Sequence, residues 1–508
     1  MFKQLLLLVV AFFAATPLWA MEYLVKLAPT GYSQVMSMHG FTVKDLNKEA
    51  DLLKINIPKE NLTQVITQLY AQGGIEYIVP NARVHAFTAP LEPQLLKEQW
   101  HLAKINAEKA WTKAGNRGSK KVIVAVIDTG VDYNHPSLSG NMIPGYDYYQ
   151  DDEDPMDVTG SQNPGHGTHC AGIIGATGVV EGGTIGMSPE VSIIPIRFLG
   201  ENGGGDLNNG IKAIDFAISK KVDVISASWG AAIPRSQAKP LLEAIERAEK
   251  AGVIFVAAAA NDGKNNDTTE VFPANAGYEN FISVAASGPN DEKPSWSNYG
   301  PKMVHLASPG LNIMSTLPNG KYENMSGTSM ATPLVSGLVA FLKAQDQSLT
   351  GAQIKAILQS TGAKVNISTQ CDCRIDALAA TEMIIDKKMY LVPAAGTYQP
   401  NETFKIQGYN FNGAAQFQSS NEAVLKVAAD GTVTVGSNGD ATITATDTAG
   451  NQAFSKIFHV GTSSSNPDPG NPGNPGNPGG PGDGKCPIND PATCQALCGI
   501  MPEAPWCH

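Results

Sequence analysis

Four short stretches of this chain each hold a residue able to take part in acyl transfer: Asp128 in VIDTG, His166 in GHGTHCAG, Asn261 in AAAAND and Ser329 in MSGTSMATP. Cleaving an amide with an alcohol requires a hydroxyl nucleophile, a base for its proton, an acid to orient that base, and donors for the oxyanion. Asp128 ends an apolar run at 122–127, so on a strand it would face a ligand crevice, although Asp before Thr-Gly also suits a turn. His166 stands between Gly165 and Gly167, ahead of an apolar stretch that reads as a buried helix with the histidine at its start. Ser329 precedes the apolar run 334–342, which places its backbone N–H at a helix N-terminus, half of an oxyanion hole and also the usual seat of a capping serine. Asn261 follows the run 253–257 and three alanines, where its amide can supply the second donor; an asparagine before Asp-Gly equally suits a turn.

Positioning these residues is the task of the segment from about 100 to 385. Apolar strands at 122–127, 191–196, 222–226 and 253–257 alternate there with amphipathic helices. That order predicts an α/β domain with a parallel sheet covered on both faces and ligands at the carboxyl ends of its strands. Before it, residues 22–87 mix strands at 23–27, 52–57 and 76–79 with a helix at 62–69, a small α+β unit. After it, 388–461 shows strands at 423–427, 432–435 and 441–445 around an Asp430-Gly431 turn, which predicts a small β-sandwich. A repeat of Asn, Pro and Gly at 462–485 reads as a solvated spacer, followed by a tail, 486–508, too small to fold without cross-links.

The chain's 508 residues, 42% of them hydrophobic, are enough for several cores, and a net charge of −11 argues against a nucleic-acid surface. Lys3, an apolar run at 5–15 and small Ala20 form an export signal over 1–20, too short to span a bilayer, and no later segment is membrane-spanning in character. An exported, extracellular protein permits disulfides. Of seven cysteines, Cys486, Cys494, Cys498 and Cys507 predict two, in any of three pairings, while Cys170 stands alone and Cys371 and Cys373 lie close together.

Taken together, VIDTG, GHGTHCAG, AAAAND and GTSMATP resemble the four signatures of the subtilisin-like serine proteases, the subtilase family, over roughly residues 22–385. The resemblance implies a serine endopeptidase, acting on proteins and peptides as a monomer, in which Asp128 orients His166, His166 serves as base, Ser329 attacks and Asn261 holds the oxyanion. It also implies that Ser226–Gly230 and Leu199–Gly205 flank the substrate, with Gly203, Gly204, Gly205, Ser228, Trp229 and Gly230 as binding residues. Trp229 stands where many relatives have leucine, and Ala260 where they have glycine; both predict a reshaped pocket. Residues 21–87 resemble an inhibitory, ferredoxin-like propeptide, which implies cleavage after Phe87 and a taste for large apolar or aromatic residues before the scissile bond. The segment 390–460 resembles bacterial immunoglobulin-like domains.

Two further expectations attach to the site. The acidic stretch 147–157 suits calcium, with Asp147, Asp152, Asp154 and Asp157 as ligands and a structural role for the ion. Cys170, four residues after His166, would share its helix face and place a buried thiol beneath the base. The opposing reading is a catalytically silent exported binding or adhesion protein that presents the sandwich and tail.

Overall fold

The computed structural model describes residues 21–29, 31–86, 99–179 and 183–461. The export signal, Phe87, the spacer and the cysteine-rich tail fall outside the described residues. The chain divides into two units, with residues 82–476 forming the larger.

In the small unit, β1 (Met21–Leu27), α1 (Gly31–Met36), β2 (Thr42–Asn47), β3 (Leu52–Ile57), α2 (Leu62–Ala71) and β4 (Ile75–Pro80) build an antiparallel sheet in the order β2-β3-β1-β4. That is the ferredoxin-like βαββαβ arrangement. Alternate residues of two strands, Tyr23 and Val25 with Leu53 and Ile55, meet Val65, Ile66 and Leu69 of α2 in one core. Period two on the strands and near-four on the helix explain why these positions are apolar.

The larger unit begins with β5 (Arg83–Ala86), then α3 (Trp100–Lys104), α4 (Ala107–Ala114), β6 (Ile123–Asp128), β7 (Tyr146–Asp147), α5 (His166–Gly175), β8 (Ser192–Arg197), β9 (Gly204–Asp206) and α6 (Leu207–Ser219). It continues through β10 (Val224–Ala227), β11 (Trp229–Gly230), α7 (Lys239–Lys250), β12 (Ile254–Ala258), β13 (Phe281–Ser287), β14 (Leu306–Pro309), β15 (Ile313–Leu317), β16 (Lys321–Met325) and α8 (Thr328–Gln345). Next come α9 (Gly351–Thr361), β17 (Ala363–Lys364), β18 (Cys373–Arg374) and α10 (Ala377–Ile385). The main sheet has nine strands in the order β17-β18-β14-β13-β12-β10-β6-β8-β7, parallel except for β17 at its edge. Val124, Val126, Val224, Ile254 and Val256 join residues of α5, α8 and α9 in one cluster, and the intervening Ala125, Ile127, Ile225 and Phe255 are buried as well. Strands buried on both faces must be apolar throughout, which is why 122–127 and 253–257 are unbroken runs. Gly337 lets α8 lie close on α5, since a Cβ there would sit 3.1 Å from Ile174 O. Among the described residues no helix is long and apolar enough to cross a membrane.

Eleven short strands, from β19 (Tyr390–Val392) to β29 (Phe458–Val460), close around Leu391, Ile406, Leu425, Val433, Ile443 and Phe458. Gly431 makes the expected turn at φ +84°, and a Cβ there would meet Ile406 O at 2.2 Å. The single strand expected at 441–445 is two. Gly439–Ala441 pairs with Phe458–Val460, whereas Ile443–Thr446 pairs with Gln416–Ser419, so the chain changes sheets at Thr442. Cys371 and Cys373 are bonded to each other, a pairing left open by their spacing.

Candidate active site

The strand order places β6 between β8 on one side and β10 on the other, so the chain reverses its direction of winding at β6. The carboxyl ends of the strands part at such a point and leave a crevice. Asp128, the last residue of β6, sits there with 1% of its surface exposed, and its Oδ1 lies 2.7 Å from His166 Nδ1. His166 is the first residue of α5, and the entry to that helix is held by Asn163, whose Oδ1 accepts from Gly165 N at 3.0 Å and His166 N at 2.9 Å. Gly165 takes φ +110°, and a Cβ on it would collide with Pro318 at 2.2 Å. A larger residue would therefore move the imidazole.

Ser329 lies in the first turn of α8, where backbone N–H groups lack intrahelical acceptors. Its carbonyl is also deprived of its helical partner, because Pro333, four residues on, has no N–H. Two side chains replace it: Ser228 Oγ donates to Ser329 O at 2.9 Å and Cys170 Sγ at 3.4 Å. Cys170 Sγ stands 4.0 Å from His166 Nδ1, so the thiol lies beside the imidazole as its position on the helix predicts. The Ser329 hydroxyl itself donates to Ser228 O at 3.0 Å. Asn261 Oδ1 accepts from Thr328 N at 3.0 Å and from Thr328 Oγ1 at 2.9 Å. Two donors on the oxygen settle which way the amide faces and leave Nδ2–H₂ as the presented end.

Among the described residues His166 Nε2 and Asn261 Nδ2 are buried without any hydrogen-bond partner, and so is Asp128 Oδ2. Leaving buried polar atoms unpaired costs about 1–3 kcal/mol each, so of these three the imidazole nitrogen and the amide are best understood as groups waiting for another molecule. Burial opposes a charge on His166, but the Asp128 carboxylate outweighs it and raises the imidazole well above its ordinary range. Burial pushes the Cys170 thiol up, so it is neutral at pH 7 and the direction at His166 rests on Asp128. The second histidine of the motif has another use: His169 Nε2 lies 3.0 Å from Glu323 O, and burial lowers it to about 3.

Next to this crevice β5 lies as the middle strand between β9 and β11, antiparallel to both. Val84 and His85 pair with Gly205 and Gly204, while His85 and Ala86 pair with Gly230 and Trp229. The close approach requires glycine, for a Cβ on Gly204 would come within 3.1 Å of the His85 ring. Gly203 differs from its neighbours: it takes φ +68° and turns the chain, its N–H donating to Gly200 O at 2.8 Å, and pairs with no strand. Ser228 is bonded to Ser329 rather than to β5. The Trp229 ring is fully buried, edge-on to Phe198 at 4.8 Å, so its bulk lies in the core. Ala260 takes φ +91°, a region that favours glycine, and is packed with Val271 and Ala274. Residues 83–86, the end of the segment 21–87, thus pair with strands of the larger unit.

The carboxylates of the acidic stretch are engaged by protein groups to different extents. Asp147 Oδ2 binds Arg197 Nη1 at 2.7 Å, and its Oδ1 accepts from Tyr149 N and Gln150 N. Asp157 Oδ1 accepts from Thr129 Oγ1 and Asn163 Nδ2, and Oδ2 from Thr168 N and Oγ1, which ties β6 to α5 behind His166. Asp154 accepts from Tyr133 OH and Met156 N, and Asp152 from Asp154 N. Four protein donors thus engage both oxygens of Asp157, whereas Asp152 and Asp154 each accept through Oδ1 alone. Among the described residues the one acid, histidine and cysteine cluster compact enough for a metal is Asp128, His166 and Cys170.

Residues 119–409 match the model of the subtilase family, and residues 379–458 match a bacterial Ig-like domain of group 2. A thermophilic serine proteinase of Bacillus sp. (strain AK1) is 36% identical over 314 residues, covering 62% of this chain and 74% of the relative. Thermitase of Thermoactinomyces vulgaris is 37% identical over 277 residues, 54% of this chain and 92% of the relative. The major intracellular serine protease of Bacillus subtilis (strain 168) is 41% identical over 244 residues, 48% of this chain and 74% of the relative.

Proposed function

Because the chain belongs to the subtilase family, we propose that it is an exported serine endopeptidase, made as a zymogen and released by cleavage after Phe87. The observation that carries the catalytic part is the pair of buried, unpartnered groups, His166 Nε2 and Asn261 Nδ2, beside the Ser329 helix. Ser329 Oγ leaves Ser228 O and attacks the substrate carbonyl carbon as its proton passes to His166 Nε2. Asp128 holds Nδ1–H and stabilises the imidazolium. The carbonyl oxygen gains the negative charge and is met by Asn261 Nδ2–H and the Ser329 N–H, donors already aimed and therefore effective without reorganisation. His166 returns its proton to the amine, the C–N bond breaks, and water repeats the sequence on the acyl-enzyme. Removing the Nδ2 donor by Asn261→Leu is expected to lower kcat on the order of 10²–10³-fold with little change in KM, a range known for subtilisin itself rather than calculated from these distances. Steady-state kinetics on a chromogenic peptide measures it; an unchanged kcat would remove Asn261 from the mechanism.

Zymogen control is supported by β5, which occupies the two edges a substrate strand would use. An inhibitor joined to the enzyme competes as a tethered ligand until its link is cut. With residue 87 as the last of this segment, an aromatic side chain would enter the primary pocket, in keeping with a preference for large apolar residues. Export is supported by the composition of residues 1–20, and a monomer with proteins and peptides as substrates completes the reading. Edman sequencing of the active enzyme tests it: a start at Thr88 is expected, and a start elsewhere would discard both the cleavage site and the pocket preference.

A further inference from the structure

Where the β-sandwich meets the parallel-sheet domain there is a cleft of about 780 Å³, lined from both sides and by none of the residues of β5. Its walls are fixed to each other: Thr397 Oγ1 donates to Pro301 O at 2.9 Å, Gln353 Nε2 to Tyr390 OH at 3.1 Å and Lys456 Nζ to Gly362 O at 3.3 Å. A volume of this size is that of a small-molecule site, and domain junctions are where such sites occur.

The chemistry of the lining is one-sided. Lys302, Lys355 and Lys405 line the cleft against a single carboxylate, Glu279, in a chain whose net charge is −11. His305 lines it too, with only 5% of its surface exposed. Its Nδ1 accepts from Ser283 N at 2.8 Å, so the neutral ring carries its proton on Nε2, a donor with no partner among the described residues. Burial and the neighbouring Lys355 charge keep that ring neutral by holding it well below its ordinary range. Lys355 Nζ spends two of its three N–H groups on long bonds to Tyr278 O at 3.2 Å and Phe281 O at 3.3 Å. Burial lowers it to about 8, with Glu279 and Glu249 pulling the other way, so at neutral pH it is still largely an ammonium. Tyr398 and Phe404, stacked on each other at 4.1 Å with an interplanar angle of 7°, supply the aromatic part of the lining.

We propose that this cleft is a second binding site, which takes an organic carboxylate carried on an apolar or aromatic body, the anion on Lys355 and His305 and the body against Tyr398 and Phe404. Adjacent N⁺–H and neutral N–H donors suit the two oxygens of a carboxylate, and the ring pair excludes a bare, fully hydrated anion. The free carboxyl terminus of a peptide and a small aromatic acid both have this chemistry. Only the first of these sources rests on the peptidase reading.

Calorimetric titration of the full-length Ser329→Ala protein tests it with four probes: acetyl-Ala-Ala-Phe, the same tripeptide as its amide, 3-phenylpropionate and inorganic phosphate. The tripeptide carboxylate is expected to bind roughly tenfold or more tighter than its amide and than phosphate. Tighter binding of the tripeptide than of 3-phenylpropionate identifies a peptide terminus as the source, and the reverse order identifies a small acid. The exposed pair Lys302→Glu/Lys405→Glu is expected to weaken binding roughly tenfold or more while casein hydrolysis in the Ser329 protein stays unchanged, which separates this site from the catalytic one. Lys355→Met is expected to abolish binding. No heat from either carboxylate at about 5 mM, equal binding of acid and amide, or binding unaffected by the double substitution overturns the proposal.

Discussion

Ser329→Ala is expected to lower kcat on a peptide substrate on the order of 10⁶-fold, the magnitude known for the nucleophile of subtilisin itself rather than one calculated from this geometry. The loss is that large because hydroxyl, imidazole and carboxylate act as one unit: without Oγ, His166 has no proton to take and Asp128 no imidazolium to stabilise. Adding His166→Ala to Ser329→Ala is therefore expected to cost almost nothing more. Stability serves as the control. The substitution forfeits the hydrogen bond to Ser228 O, worth about 1 kcal/mol, and creates no sizeable cavity. The folded protein should thus persist with its melting temperature nearly intact while activity vanishes. An alanine variant retaining more than about a hundredth of the activity would place the nucleophile elsewhere.

Asp128→Asn is the second large effect, expected on the order of 10⁴-fold in kcat. The cause is a tautomer. Asp128 Oδ1 accepts from His166 Nδ1 at 2.7 Å, which keeps the proton on Nδ1 and the lone pair on Nε2. An asparagine can turn its N–H₂ toward Nδ1, make it the acceptor and move the proton to Nε2, where the base no longer accepts one. The pH profile adds a sign that a merely structural effect would not give. His166 works only when neutral, and Asp128 raises it above the ordinary 6.5, so kcat/KM of the native enzyme should fall on the acid side from a pH above that value. Removing the carboxylate removes the cause of the rise, and the acid limb of the residual activity should move to lower pH. A limb that does not move would show that another group controls it.

The strands were legible because parallel strands buried on both faces must be apolar from end to end; the four runs at 122–127, 191–196, 222–226 and 253–257 correspond to β6, β8, β10 and β12 within a residue or two. The site was legible in outline because its residues stand at element ends, where periodicity stops and glycine begins. What escaped notice was relational. That Thr328 turns the Asn261 amide, and that Ser228 and Cys170 take the place of the helical partner of Ser329 O, are facts about residues far apart in sequence. Pro333, four residues after Ser329, was the one local signal. The acidic stretch shows the same limit: composition counts carboxylates, whereas the fold gives Asp147 to Arg197 and Asp157 to Thr129, Asn163 and Thr168. Trp229 was expected to reshape a pocket because it stands where many relatives have leucine, yet its ring faces Phe198 in the core.

Covalent trapping tests the central claim most directly. The active enzyme, treated with phenylmethylsulfonyl fluoride and digested, should carry one sulfonyl group on the peptide containing Ser329, with activity lost in proportion to labelling. Only a hydroxyl flanked by a working base and an oxyanion site reacts at that rate, so Asp128→Asn and His166→Ala proteins should stay unlabelled under the same conditions. Labelling at another serine, or full activity with Ser329 modified, would contradict the account.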